Sequence, residues 1–260
     1  MQAPEVKSTT YPTANGFNRH FDPKAYLAEM FSAPDDEDRF SISFMVRVLK
    51  SLPDNLFIHE FGGGPTLYSV AVLAAKAREI HFSDVVDDSL LEVDAWLKGK
   101  PDAHDWDPYI AVALEAEESP VTEDAISDRA GLMRKVVTQL MLCDAQRNSP
   151  IQQKYTQYDL VAAHHCTDVA ATSFREWVRV LENVSNIVRP NGWLMVSVTT
   201  GARTYEVGDV TFDCVNLTEE DVRIGLLRSG YREESIILET YEVEHTREYS
   251  GIIIALARRD

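Results

Sequence analysis

The chain has 260 residues, 45% of them hydrophobic, and sets 42 Asp plus Glu against 25 Lys plus Arg for a formal net charge of −17. That length fits one large domain, or one domain with an appended cap, and it is ample to bury a core. The acidity argues against nucleic-acid phosphates and anionic membrane surfaces as partners, since both need a basic footprint, and reads first as a solubilising surface.

From Met1 to Gly16 the sequence is polar, with Pro4 and Pro12 and no apolar core, so it is not read as a secretory signal; no run is long enough to span a bilayer. Apolar residues at helical spacing follow at Tyr26–Phe31 and Phe44–Leu52, separated by an acidic loop from Asp35 to Asp38. They predict a helical cap over residues 1–52, ahead of a main domain over 53–260. Strands are predicted at Leu56–Phe61, Glu79–Asp84, Gln139–Cys143, Asp159–His164 and Trp193–Thr199, with helical periods between most of them. This βαβ rhythm indicates an α/β fold, a parallel sheet with helices on both faces. Glu115 to Asp128 is acid-rich and poorly patterned and is expected to be an exposed insertion before a helix at Leu132–Val137. Phe174, Trp177, Val178, Leu181, Val184 and Val188 repeat at helical spacing behind a Ser173/Glu176 capping box, and Pro190-Asn191-Gly192 should stop that helix. Thr218 with Asp221 opens another helix that Gly230 would close. The runs Ile236–Val243 and Gly251–Ala257 read as a C-terminal antiparallel hairpin. Seven strands ending in such a hairpin resemble the Rossmann-like class I methyltransferase sheet more than a dinucleotide dehydrogenase.

The chemistry concentrates where strands end, because ligands of open α/β sheets sit outside the carboxyl ends of the strands. Phe57-Ile58-His59-Glu60-Phe61 runs into Gly62-Gly63-Gly64-Pro65-Thr66, and about twenty residues on Ile80-His81-Phe82-Ser83 ends in Asp84. Glycines after a first strand let a backbone approach a ligand closely, and an acid ending the next strand can accept both hydroxyls of a ribose. A tight strand-to-helix turn is the ordinary alternative for the glycines. Asp144 could accept from an exocyclic amine such as that of adenine, or serve as a helix N-cap before Ala145. His164-His165-Cys166 invites a metal reading, but adjacent strand residues face opposite ways and cannot converge on one ion without leaving strand geometry, so no metal is expected. Either histidine could act as a base near the pocket, or form a hydrogen-bonded wall. Asp168 lies where it could anchor a cationic amine, or begin a helix. Cys143, Cys166 and Cys214 are widely spaced, which suggests neither a disulfide framework nor a CxxC metal pair and implies a reducing, cytoplasmic setting.

At these residues the chain resembles the nicotinamide, phenylethanolamine and indolethylamine N-methyltransferase family. The likeness runs from Phe21-Asp22-Pro23-Lys24-Ala25-Tyr26-Leu27 to Arg258 and includes Gly62-Gly63-Gly64-Pro65-Thr66-Leu67-Tyr68, Asp105-Trp106-Asp107-Pro108, Arg189-Pro190-Asn191-Gly192, Thr204-Tyr205-Glu206-Val207-Gly208 and Ser229-Gly230-Tyr231. The resemblance implies S-adenosyl-L-methionine as cofactor. It assigns Tyr26, Gly62, Gly63, Gly64, Thr66 and Tyr68 to the methionine portion, Asp84 and Ser89 to the ribose, Asp144 and Ala145 to the adenine, and His164 to a position beside the cofactor. Ser89 stands where an asparagine is commoner, and Gly63 where a serine is. Phe31, His165, Asp168, Ala202, Tyr205 and Glu248 are implied around the acceptor. Val198 and Ala202 replace an aspartate and a serine of the nicotinamide enzyme, and Gly201 a glutamate of the phenylethanolamine enzymes, so neither substrate is expected.

The expected activity is methyl transfer to a small, amine-bearing and aromatic molecule by a monomer or weak homodimer, with Asp168 holding the nitrogen and His165 or a water taking the proton. Methylation of a phenol by a histidine base, another transfer or cyclisation with the same cofactor, and a cofactor-binding pseudoenzyme are the alternatives.

Overall fold

Apolar runs broken by glycines and acids become, in the computed structural model, nine strands and eight α-helices among the described residues, which are 20–151, 156–243 and 249–260. Seven strands form one sheet: β1 (Leu56–Phe61), β2 (Ala77–Asp84), β3 (Val137–Leu142), β4 (Tyr158–His164), β5 (Val188–Thr200), β8 (Ile237–Glu242) and β9 (Gly251–Arg258), in the order β3-β2-β1-β4-β5-β9-β8. The first five are parallel and β9 is antiparallel to both of its neighbours, so the C-terminal hairpin is present as expected. The strand order reverses between β1 and β4, which opens a crevice beyond their carboxyl ends. β6 (Thr204–Val207) and β7 (Val210–Asp213) form a separate two-stranded ribbon that the sequence reading missed.

Side chains alternate across the strands and fill two cores. Leu160 and Ala162 of β4, with Met195 of β5, pack on the face covered by α2 (Asp36–Leu49), α3 (Tyr68–Leu73), α5 (Asp107–Ala116) and α6 (Glu123–Val136). Val161, Ala163, Leu194 and Val196 point the other way, against α7 (Phe174–Ser185) and α8 (Glu219–Arg228). The remaining helices are α1 (Pro23–Met30) and α4 (Asp87–Leu97).

Three expectations are corrected. Asp35 to Asp38 is not a loop: Asp35 caps α2 through the N–H groups of Glu37 and Asp38, Asp38 answers at the Asp35 N–H, and the acids of the first turn complement the helix dipole. Glu115 to Asp128 is not an insertion either. It contains the end of α5 and the start of α6, which Thr122 caps, and Arg129 clamps the bend by a two-pronged pair with Glu117 and a bond to the Ala71 carbonyl. Pro190-Asn191-Gly192 does not end α7, which stops at Ser185; these residues form an irregularity inside β5, where Asn191 takes φ +61°. The Thr218/Asp221 box is present; Ser173 caps α7 through the Glu176 N–H, but the Glu176 carboxylate accepts from Thr172 rather than from the Ser173 N–H, so that box is not closed, and Gly230 follows α8 with φ +86°.

Candidate active site

β1 hands the chain to a turn that only glycine accommodates. Gly62 and Gly64 have φ of +65° and +59°, a Cβ on Gly62 would fall 2.6 Å from that of Cys166, and one on Gly63 would fall 2.4 Å from the Phe82 ring. Phe82 therefore explains why a serine is absent at Gly63. Nothing stands near a Cβ built on Gly64, so its backbone is open to a ligand. The Gly64 N–H donates to Asp84 Oδ2 at 2.9 Å and the Val86 N–H to Oδ1 at 2.8 Å, which lock the turn to the acid that ends β2. Burial pushes the Asp84 carboxyl up to about 6, against the pull of these N–H donors and the Ser89 hydroxyl. Thr66 Oγ1 donates to the Gly63 carbonyl at 2.7 Å and completes the turn.

Above this floor lies a cavity of about 690 Å³. Tyr26, Gly62, Gly63, Gly64, Thr66, Tyr68, Asp84, Asp144, Ala145, His164, His165, Phe31, Ala202 and Tyr205 all line it, so most of the residues picked from the sequence meet in one place. Asp144 sits in a loop rather than capping a helix, with Oδ1 accepting from the Gln146 N–H and Oδ2 from Arg147 Nε. Aromatic rings build the opposite wall: Phe31 stacks on Tyr68 at 5.7 Å, Phe21 meets both Tyr26 and Phe212, and Phe212 stacks on Tyr205 at 5.3 Å. The Gly208 N–H donates to Glu29 Oε2 at 3.1 Å, so the β6–β7 ribbon is tied to α1.

Ser89 and Asp168 are placed differently. Both are fully buried and neither lines the cavity; Ser89 lies behind Asp84, and Asp168 Oδ2 accepts from the Thr199 N–H at 2.9 Å. Asp168 does act on His165 by its charge, which opposes the lowering of that imidazole by burial. His164, His165 and Cys166 all line the cavity, contrary to the alternation expected of a strand, because β4 ends at His164 and His165 takes φ +49°. Val198 is a core residue of β5 rather than part of the wall, and a side chain at Gly201, with φ +83°, would strike Ser250. Glu248 lies outside the described residues.

Glu60 stands among the strand-end residues that the sequence marks out, but the sequence assigns it no role. It is 1% exposed, lines the cavity, leaves Oε2 without a partner among the described residues, and has its carboxyl pushed up to about 8 by burial. Its signal was an acid in the apolar end of β1. Glu29, Glu37, Asp38 and Glu206 add further carboxylates to the wall, whereas the described lining includes no lysine or arginine. The three cysteines, far apart in sequence, also meet on this wall. Such a surface suits a ligand that carries positive charge, and the open glycine backbone, Asp84 and the unpartnered Glu60 oxygen fit a nucleoside with a cationic tail.

The sequence signature of the NNMT/PNMT/TEMT family matches residues 9–260. Nicotinamide N-methyltransferase of Homo sapiens is 26% identical over 237 residues, 85% of this chain and 87% of that protein. Indolethylamine N-methyltransferase of Oryctolagus cuniculus is 27% identical over 254 residues, covering 94% and 95% of the two chains. Phenylethanolamine N-methyltransferase of Mus musculus is 22% identical, covering 93% and 85%. Among solved structures, the N-methyltransferase NodS of Bradyrhizobium japonicum in complex with S-adenosyl-L-homocysteine superposes with a TM-score of 0.53 at 11% identity, covering 89% of this chain and 90% of that one, a likeness of fold.

Proposed function

The chain belongs to the NNMT/PNMT/TEMT family, and from that premise we propose that it methylates the nitrogen of a small amine. It is an S-adenosyl-L-methionine-dependent methyltransferase with the class I fold. When bound, the cofactor supplies an electrophilic methyl group on a cationic sulfur. Tyr26, Gly62, Gly63, Gly64, Thr66 and Tyr68 hold its methionine portion, Asp84 its ribose with Ser89 supporting from behind, and Asp144 with Ala145 its adenine. Phe31, His165, Ala202 and Tyr205 flank the acceptor. Asp168 contributes through His165 rather than by touching the nitrogen, since it lies behind the wall.

One observation carries this reading: one cavity joins the glycine turn and Asp84 to an aromatic wall set with carboxylates and, among the described lining residues, no lysine or arginine. Carboxylates favour a cationic amine, aromatic faces a planar substituent, and positioning against the methyl group alone can supply several kcal/mol of a barrier of this kind. A phenol acceptor is the second reading, supported by His165, a cavity-lining imidazole with a carboxylate behind it that could take a phenolic proton. No helix among the described residues is long and apolar enough to cross a membrane. The net charge of −17 supports an enzyme that works on small molecules without nucleic acid or anionic membrane, and its proposed setting is the cytoplasm, as a monomer or weak homodimer.

The test is a panel of small aromatic amines, phenols and nicotinamide offered with methyl-labelled cofactor. Label in the amines, with one S-adenosyl-L-homocysteine formed per methyl, is expected. Label confined to phenols would establish the second reading. Tight cofactor binding with no S-adenosyl-L-homocysteine from any acceptor would make the protein a binding module.

A further inference from the structure

β4 lies between β1, which carries the glycine turn, and β5, which leads to Ala202 and Tyr205. Its last residue, His164, therefore stands where the cofactor half of the cavity meets the acceptor half. The residue is only 6% exposed, and its ring lies 6.0 Å from that of Tyr68. Nδ1 is 3.0 Å from Oγ of Ser197, its cross-strand partner on β5, while Nε2 is buried with no partner among the described residues. Buried polar atoms are nearly always paired, so an unpaired one on a residue that lines a ligand cavity is a candidate for a bond that a ligand completes.

Burial lowers the His164 imidazole to about 3, so the ring is neutral at physiological pH and offers one donor and one acceptor nitrogen. The Ser197 hydroxyl can rotate to serve either tautomer. Beside a ligand that carries a sulfonium and an N–H, the favoured arrangement has Nδ1–H donating to Ser197 Oγ and the Nε2 lone pair facing the cavity.

Resting on the amine reading above, we propose that His164 Nε2 accepts a hydrogen bond from an N–H of the methyl-accepting nitrogen, with Ser197 as the positioning residue that holds the ring. Primary and secondary amines then fit, whereas tertiary amines and pyridine-type nitrogens have no hydrogen to offer and leave Nε2 unpaired. With its N–H held, the nitrogen keeps its lone pair turned away from the imidazole. That pair forms the new C–N bond as the methyl C–S bond breaks and its electrons return to sulfur, which becomes neutral. The nitrogen leaves the step as an ammonium and gives its proton to water, because His164 is too weak a base to keep it.

The experiment has two arms. In the first, nitrogen NMR of the ¹⁵N-histidine-labelled protein, saturated with S-adenosyl-L-homocysteine and then given N-methylphenethylamine, reports the His164 tautomer, the resonance being assigned with His164→Gln. A pyridine-type Nε2 with a protonated Nδ1, and a tautomer mixture in Ser197→Ala, are expected; a protonated Nε2 overturns the proposal. The second arm compares methylation of phenethylamine, N-methylphenethylamine and N,N-dimethylphenethylamine, with pyridine and nicotinamide alongside. The wild type should favour the two N–H amines over the tertiary amine by about tenfold or more, and His164→Leu should erase that ratio while His164→Gln, which keeps an acceptor oxygen, retains part of it. Equal rates on secondary and tertiary amines would overturn this proposal alone, and transfer to none of these nitrogen acceptors would overturn the amine reading itself while the first arm still judges His164.

Discussion

The two walls of the cavity are made by different means. The floor is backbone: Gly62 to Gly64 in a turn that no other residue fits, fastened by main-chain N–H groups to Asp84, with Phe82 and Cys166 packed hard against it. The roof is side chain: rings of Phe21, Tyr26, Phe31, Tyr205 and Phe212 in contact across α1 and the β6–β7 ribbon, with a hydrogen bond from Gly208 to Glu29 tying the two. A backbone site recognises what every member of a chemical class shares. A side-chain site can be rewritten one residue at a time, and the roof is the wall that carries Ala202 and Tyr205.

The contrast is sharpest in stability. Gly62→Ala puts a methyl group 2.6 Å from Cys166 Cβ at a φ of +65°, and should cost about 2–4 kcal/mol in urea unfolding, with Cys166→Gly restoring part of the loss. Gly208→Ala, in the open roof at φ +55°, should cost only about 1 kcal/mol. Equal losses would mean that the two walls are equally rigid.

Asp84→Ala should weaken binding of S-adenosyl-L-homocysteine by at least about tenfold, roughly 1.4 kcal/mol by calorimetry, because the ribose hydroxyls lose their shared acceptor. Replacing the roof residue Ala202 by Ser should leave that affinity unchanged and alter only the choice of acceptor. A floor variant that changed acceptor choice without changing cofactor affinity would break the division.

The third expectation concerns pH. Glu60, held up at about 8, and Asp84, at about 6, each bind a proton more tightly in the folded chain than in the unfolded one. The unliganded protein should therefore lose stability as the pH rises from the ordinary carboxylate range through these values. Affinity for the cationic cofactor should move the other way and rise by several-fold between about pH 6 and 8 as Glu60 ionises. Glu60→Gln should flatten the upper part of both curves in thermal melts and calorimetry, and unchanged curves would remove Glu60 from the floor.

The smallest effect belongs to the tie across the roof. Glu29→Ala frees the Gly208 N–H at an exposed position and should raise the acceptor KM about two- to threefold, leaving cofactor affinity alone. A larger loss in cofactor affinity would mean that this tie also seats Tyr26, the α1 residue assigned to the cofactor.

The same division explains what could be read in the sequence. β1 was legible to the residue, and so was the place of Asp84 at the end of β2 beside a glycine turn, because such backbone features depend on local signals: a strand period, a glycine run, an acid at a fixed distance. The acidic stretches misled for an equally local reason. Asp35 to Asp38 and Glu123 to Asp128 lack an apolar stripe, but acids also favour the first turn of a helix, and both segments are first turns or contain one. The roof was hardest. Phe21 and Glu29, Cys214, and Tyr249 reach the cavity from three distant segments, and nothing in their spacing says that they meet. Asp168 was misjudged by one layer: it is near the site in sequence, but the turn after β4 sends its side chain to Thr199.

The ribbon that carries Tyr205 closes on itself where it leaves and rejoins the body. The Gly201 N–H bonds Asn216 Oδ1, the Cys214 N–H bonds the Arg203 carbonyl, and Val215 is pinned to Asp168. Its ends are thus held together independently of what lies between them. A segment of this kind behaves as a cassette: its length or sequence can be changed without disturbing the seven-stranded frame, so the wall it forms can be rebuilt while the glycine turn and Asp84 stay where they are.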